Sequence, residues 1–354
     1  MTRKIALLML FGLIIRTNGQ VPGPPRVSSH DIATKTIING PAALAVDRKG
    51  HLFVIEQEES RVLQVDLGSG AISTIAGNGE VWNCEHEDAV LATRTCLHFP
   101  RSLAVDSADN LYIGELAGYV RKIDLGTGLI TTVAGDGKEG EMADGVSALS
   151  AHLGDVDGIA FDSHDNSFIA DTEHERILKL EQETDRIVRF GGGGRSGTFS
   201  FDHDDDLLLA DFENCSIKKV ERSTNVITTV ALSGSEAECA TGNMRPGPFP
   251  SDPVADSAGN IYFIEGAMDV VRRIDAASHQ VTTVVGTGAR GFAGDGGPAD
   301  KALLSNPSGL TIDAEGNLFV AEFENNRIRR VDASTGIITT IAGNGQPGHH
   351  PTVD

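Results

Sequence analysis

Aromatic residues are scarce in this chain: one tryptophan, three tyrosines and fourteen phenylalanines, 5% in all. A core must therefore come from Val, Ile, Leu and Ala, which the 40% hydrophobic content can supply. Positive charge is short too. Twenty-nine Lys and Arg stand against fifty Asp and Glu, a formal net charge of −21. Such a surface repels nucleic acid and anionic lipid, and no basic patch interleaved with aromatics offsets it. No nucleic-acid partner is expected. Long apolar runs are missing beyond residue 20. The single early run, 5–15, follows Arg3 and Lys4 and precedes small residues at 17–19. It falls short of the roughly 20 residues that span a bilayer, so residues 1–20 read as a secretory signal peptide, with no stable membrane insertion. The chain is expected to be secreted or periplasmic. Losing Arg3, Lys4 and Arg16 with that peptide takes the formal charge to −24.

Catalytic signatures are also missing. No G-x-S-x-G, H-E-x-x-H or P-loop occurs. Three stretches fit G-x-G-x-x-G, at 135–140, 286–291 and 343–348, but none opens a helix within a βαβ unit, so they are connectors and not nucleotide loops.

What the sequence does have is a repeat. Residues 307–345 read as four short apolar runs, 310–312, 318–321, 328–331 and 337–342, with turns marked by Asp313, Gly316-Asn317, Asn325-Asn326 and Asp332. Gly, Asn and Asp tolerate the backbone of tight hairpins, so this is a four-stranded antiparallel meander. Its first-turn aspartate recurs as Asp47, Asp106, Asp162, Asp202, Asp256 and Asp313, spaced 40 to 59 residues apart. Repetition across the units makes turn chemistry the reading of these six. Six sheets with two apolar faces each bury both only by stacking radially and closing. The expectation is an all-β, six-bladed β-propeller of four-stranded antiparallel blades over 32–354, after a Pro-rich lead-in at 21–31. A seventh run resembling a fourth strand, 32–39, suggests that the ring closes by terminal strands sharing one blade.

The blocks PSGLTIDAEGNLFVAEFENNRIRRVDASTGIITTIAGNG and PRSLAVDSADNLYIGELAGYVRKIDLGTGLITTVAGDG resemble NHL repeats, over about 41–345. The connector GTGARGFAGDGGPADKALLSNP resembles those of exported bacterial NHL proteins. The resemblance implies the propeller, and a family that includes binding scaffolds for protein or RNA and, among relatives, metal-dependent lyases and lactonases. The fold does not choose among these.

Register places candidate residues. Each second strand ends in an acid: Glu56, Glu115, Asp171, Asp211, Glu265 and Glu322. Arg61, Arg176 and Arg327 sit where they can pair the first, third and sixth. Glu115, Asp211 and Glu265 have no such partner from the repeat, which makes them candidate binding acids; the plainer alternative is that all six cap turns. At the start of the first strands, on the top rim of the channel, Arg101, Asp157 and Asp252 break a habit of small residues, with Asp155 beside them. Asp155, Asp157 and Asp252 form the candidate set for Ca²⁺, which takes several oxygen ligands; scattered top-loop histidines make Zn²⁺ the lesser option. Asp202-His-Asp204-Asp-Asp206 imitates a Ca²⁺ loop but lacks the Gly and Glu that such loops need. The long connectors at 77–100, 135–157 and 286–307 are assigned to the top face. Trp82 lies in the first of them as a candidate anchor. An even number of cysteines in an exported chain suggests two disulfides. Three connectivities are open, and the repeat register favours Cys84–Cys96 and Cys215–Cys239.

The first reading is a monomeric scaffold that binds a protein or small molecule through its top-face loops. The second is a metal-dependent hydrolase or lyase, with its site at the top of the central channel.

Overall fold

The computed structural model describes residues 31–80, 87–138, 140–181, 183–191, 196–212, 214–232 and 249–348. Six sheets follow one another in chain order, each antiparallel and each running from an innermost first strand outward. The innermost strands are Pro41–Val46, Pro100–Val105, Val156–Phe161, Ser196–Phe201, Pro250–Ala255 and Pro307–Ile312. The outer strands are Ala71–Ala76, Leu129–Ala134, Arg186–Gly191, Ile227–Leu232, Val281–Val285 and Ile338–Ala342. Among the described residues no helix exceeds a three-residue 3₁₀ turn, and none is long and apolar enough to cross a membrane. The six-bladed propeller expected from the repeat is what the chain forms.

There is no single core. Among the described residues six apolar clusters occur, one at each seam between adjacent blades. Phe319, Ala321 and Ile328 of blade 6 pack with Leu44, Leu52 and Val54 of blade 1, so the sixth cluster closes the ring. This follows from the strands themselves. Second strands such as His51–Glu56 and Leu318–Glu322 are buried on both faces, and only radial stacking supplies two apolar neighbours.

The repeated aspartate builds the bottom turn in every blade. Asp106 Oδ1 accepts the N–H groups of Ala108 (3.0 Å) and Asn110 (2.7 Å), while Oδ2 holds the Asn110 amide at 2.7 Å. Asp162, Asp256 and Asp313 repeat this with Asn166, Asn260 and Asn317. Asp47 holds His51 instead, and Asp202 holds Lys219.

The connectors do not stay on the top face. Residues Val90–Leu91 pair with the outer strand of the blade they lead into, and Val146–Ser147 do the same one blade on. A buried alanine follows. Ala92 N–H bonds Gly128 O in the bottom turn of blade 2, and its carbonyl accepts Gly77 N–H at the top end of blade 1. Strand twist brings those two ends together. Ala148 and Ala299 occupy the same seam position ahead of blades 3 and 6.

This corrects the expected ring closure. Residues 32–39 supply no fourth strand, and among the described residues no blade mixes strands from both ends of the chain. Asp31–Ile32 add a short fifth strand outside blade 1, in the order a connector would. Ala33 N–H bonds Gly70 O, and Gly343 N–H bonds Ala33 O. The N-terminal segment thus stands in for a connector. The spacing Ala33–Pro41, Ala92–Pro100, Ala148–Val156 and Ala299–Pro307 is the same throughout.

Candidate functional site

Every inner strand carries a register shift near its start, at the top of the channel. The shifts fall between Pro41/Leu44, Pro100/Ser102, Val156/Gly158, Ser196/Phe199, Ser251/Val254 and Pro307/Gly309. A β-bulge re-aims the side chain that it leaves unpaired. The residues so released include Arg101, Asp157, Thr198, Asp252 and Ser308. The channel they lead into is lined by all six inner strands and encloses about 240 Å³. Sequence register located Arg101, Asp157 and Asp252 at this rim. It missed Thr198, whose hydroxyl accepts the Asp252 N–H at 2.7 Å. A bulge has no residue signature here, so a fixed register count could not find it.

Charge at the mouth is uneven. Arg101 is exposed and stands on the blade 2 side. Its charge acts on both Asp155 and Asp157 of blade 3. Burial pushes Asp155 up to about 6, helped by Asp157 and Glu173 and opposed by Arg101. Burial also raises Asp157, again against Arg101. Asp252, in a left-handed conformation (φ 50°), is pushed up to about 7 by burial, against a hydrogen bond from Ser251. A carboxyl raised on folding binds its proton more tightly in the folded chain. Its destabilising effect is absent below about pH 4 and complete above the folded value of about 7. Asp252→Asn should therefore raise the melting temperature at pH 8 and leave it nearly unchanged at pH 4, as differential scanning calorimetry at the two pH values would show. Asn keeps the left-handed backbone accessible.

Among the described residues, the group of three with ligand atoms within 4.8 Å of one another is Asp202, His203 and Asp204. Asp155, Asp157 and Asp252 do not make such a group. Asp202 itself is committed to the turn and to Lys219 at 2.7 Å.

The six second-strand acids are buried beneath the rim. Three of them clamp the chain that precedes their own blade. Glu56 accepts Asn39 N–H (2.9 Å), Asp171 accepts Gly154 N–H (3.1 Å) and Glu322 accepts Ser305 N–H (3.0 Å). Arg61 and Arg176 pair with Glu56 and Asp171 as expected. Arg327 does not pair with Glu322; it bonds Asn325 and Asn344 carbonyls and stacks on Phe292 at 3.8 Å. The partner of Glu322 is Arg329, at 2.9 Å. Asp211, Glu265 and Glu115, for which the repeat position offers no partner, find one elsewhere. Lys218 pairs with Asp211, Arg272 with Glu265 at 2.7 Å, and His98 lies 3.9 Å from Glu115. Seven residues, not five, separate acid and base in blades 4, 5 and 6, because the base sits one inward-facing strand position further on.

Cys96 and Cys215 are buried, and no described cysteine is a free thiol. Trp82, Cys84 and Cys239 lie outside the described residues, as do residues 1–20.

Comparison with known proteins agrees with this architecture. The teneurin NHL domain model matches residues 198–352. The chloroplast protein Suppressor of Quenching 1 of Arabidopsis thaliana is 26% identical over 302 residues, 84% of this chain and 25% of that protein. The chain thus spans about a quarter of that relative's length. An auxiliary nutrient binding protein from Bacteroides thetaiotaomicron has a similar fold, with a TM-score of 0.60 at 15% identity, covering 86% of this chain and 70% of that one. Virginiamycin B lyase from Staphylococcus aureus has a TM-score of 0.51 at 16% identity, covering 90% and 87%. These identities speak for the fold alone. With the repeats and the closed ring of six blades, they make the chain an NHL-repeat six-bladed β-propeller.

Proposed function

We propose that this propeller is an exported binding scaffold that takes its ligand at the channel mouth. One observation carries the reading: six bulges turn side chains from separate blades toward one opening, where the exposed cation Arg101 stands beside Asp155 and Asp157. That pairing of signs suits a ligand carrying both an anionic group and a hydrogen-bond-donating or cationic group, on a small molecule or a loop of a partner protein. In this reading Trp82 adds an apolar anchor. Glu115, Asp211 and Glu265 hold the mouth from beneath. Disulfides Cys84–Cys96 and Cys215–Cys239 brace the connectors, each worth about 2–4 kcal/mol.

A fragment library screened by ligand-observed NMR against residues 21–354 tests it. Hits on the wild type should be lost with Arg101→Ala, an exposed change that leaves the melting temperature in place. Hits retained by that variant would sink the assignment of the mouth.

The second reading, a lyase or hydrolase at the same mouth, is favoured by Asp155 near 6 and Asp252 near 7, values that suit general acid–base work at neutral pH. Should it need Ca²⁺ or Zn²⁺, elemental mass spectrometry of protein purified without chelators would find stoichiometric metal, lost in Asp157→Asn.

A further inference from the structure

Five blades carry isoleucine, and blade 5 valine, two residues past the bottom turn on the outer strand. Ile72, Ile130, Ile187 and Ile338 are at most 1% exposed, whereas Ile227 of blade 4 is 53% exposed. The covered four are sealed by the chain that enters their blade. The pattern is regular in blades 2, 3 and 6. An aspartate, Asp88, Asp144 or Asp295, stands four residues before the seam alanine. The residue after it donates its N–H to the isoleucine carbonyl: Ala89 to Ile130, Gly145 to Ile187 and Gly296 to Ile338. The aspartate grips the strand itself. Asp88 accepts Thr132 N–H at 2.7 Å and Arg121 at 3.2 Å; Asp295 accepts Arg329 at 2.7 Å, which it shares with Glu322.

Blade 4 keeps every receiving group. Asn225 matches the turn residues Gly128 and Gly336, all with positive φ. Thr229 matches Thr132, and Lys218, paired with Thr229 across the ladder, matches Arg121 and Arg329. Lys218 is already bonded to Asp211, as Arg329 is to Glu322. The entering segment is what differs. Only residues 192–195 join the outer strand of blade 3 to the inner strand of blade 4, against 77–99, 135–155 and 286–306 elsewhere. Four residues extend at most about 14 Å and cannot run down an outer edge and back.

We propose that the outer edge of blade 4 is a strand-docking slot for a partner protein, which supplies in trans an extended segment with an acidic residue four positions before an alanine or similarly small residue. Backbone pairing at Asn225 and Ile227, as at Gly128 and Ile130, gives affinity, and the acid on Lys218 and the Thr229 N–H, as Asp88 on Thr132, sets the register. The connectors of this same chain define that ligand pattern. The slot is independent of the channel mouth.

The probe is a synthetic peptide of residues 87–95, Glu-Asp-Ala-Val-Leu-Ala-Thr-Arg-Thr, titrated by isothermal calorimetry with amide hydrogen exchange read alongside. Saturable binding that slows exchange at 227–229 is expected. Asn in place of the peptide's aspartate should weaken binding about tenfold or more, as loss of a charge-assisted bond does. Thr229→Pro, at an outward-facing N–H on an edge strand where proline is tolerated, should abolish binding while the melting temperature holds. Lys218→Gln is the second variant, expected to weaken the aspartate peptide only. Absence of binding to the wild type, unchanged affinity in both variants, or protection confined to blade 2 would each overturn the proposal.

Discussion

Arg329→Met should lower the unfolding free energy by about 3–5 kcal/mol at pH 7, the usual cost of leaving one member of a buried ion pair alone. Arg329 and Glu322 are both fully buried and 2.9 Å apart. Methionine fills the guanidinium's stem but leaves the Glu322 carboxylate with Asn325 and the Ser305 N–H only. Burial already pushes the Glu322 pKa up, opposed by Arg329. Without the arginine it rises further, so the carboxyl is neutral in the folded variant over a wider range. The defect should therefore shrink as pH falls towards 4. Urea unfolding at pH 7 and pH 4.5 reads both effects. An equal loss at the two pH values would mean that packing, not charge, makes Arg329 matter. The double variant Glu322→Gln/Arg329→Met should recover part of the loss.

Gly309→Val should be worse. A Cβ built on Gly309 would lie 1.9 Å from Ala42 O and 3.0 Å from Ala42 C. Those atoms belong to the inner strand of blade 1, so the clash is backbone against backbone at the seam that closes the ring. Neither strand can swing aside, because Ser308 Oγ donates to Pro41 O at 2.8 Å right beside it. Overpacking costs about 1–3 kcal/mol where side chains can give, and more where they cannot. We expect a loss above about 3 kcal/mol or an open, aggregating ring. Gly266→Ala, with nothing within 4 Å of its Cβ, is the control and should stay within about 0.5 kcal/mol. Equal midpoints for the two variants would show that this close approach is not needed.

The blades were legible because their signals are local. An aspartate that must accept two N–H groups two and four residues on is the same letter in each unit, and apolar second strands need no context to be read. Ring closure was not legible. Residues 31–41 share with the connectors a short edge strand, an alanine and a fixed step to the inner strand, but Thr36-Ile37 imitates Thr340-Ile341 more visibly than Ala33 imitates Ala92. The arginines show the same limit. Arg327 and Arg329 lie two apart on one strand and share a face, and sequence spacing favoured the nearer; the one that pairs is Arg329, fully buried against Glu322. At the mouth, register placed Arg101, Asp157 and Asp252 on the rim, yet whether three carboxylates converge depends on bulge geometry, and these do not.

The substitution of a connector by residues 31–40 has a mechanical consequence. A propeller whose last blade mixes strands from both ends resists tension through a hydrogen-bond ladder loaded in shear. Here the ends meet through Gly343 on Ala33, Asn344 on Thr36 and Gly348 on Asn39. Pulled apart from residues 31 and 348, these bonds load one after another, as in peeling, while the three ladders of blade 6 stay unloaded. The contacts of residues 31–39 should therefore release first, with all six blades still folded, while the apolar cluster and the Ser308–Pro41 bond of the blade 6–blade 1 seam hold the ring to a higher force.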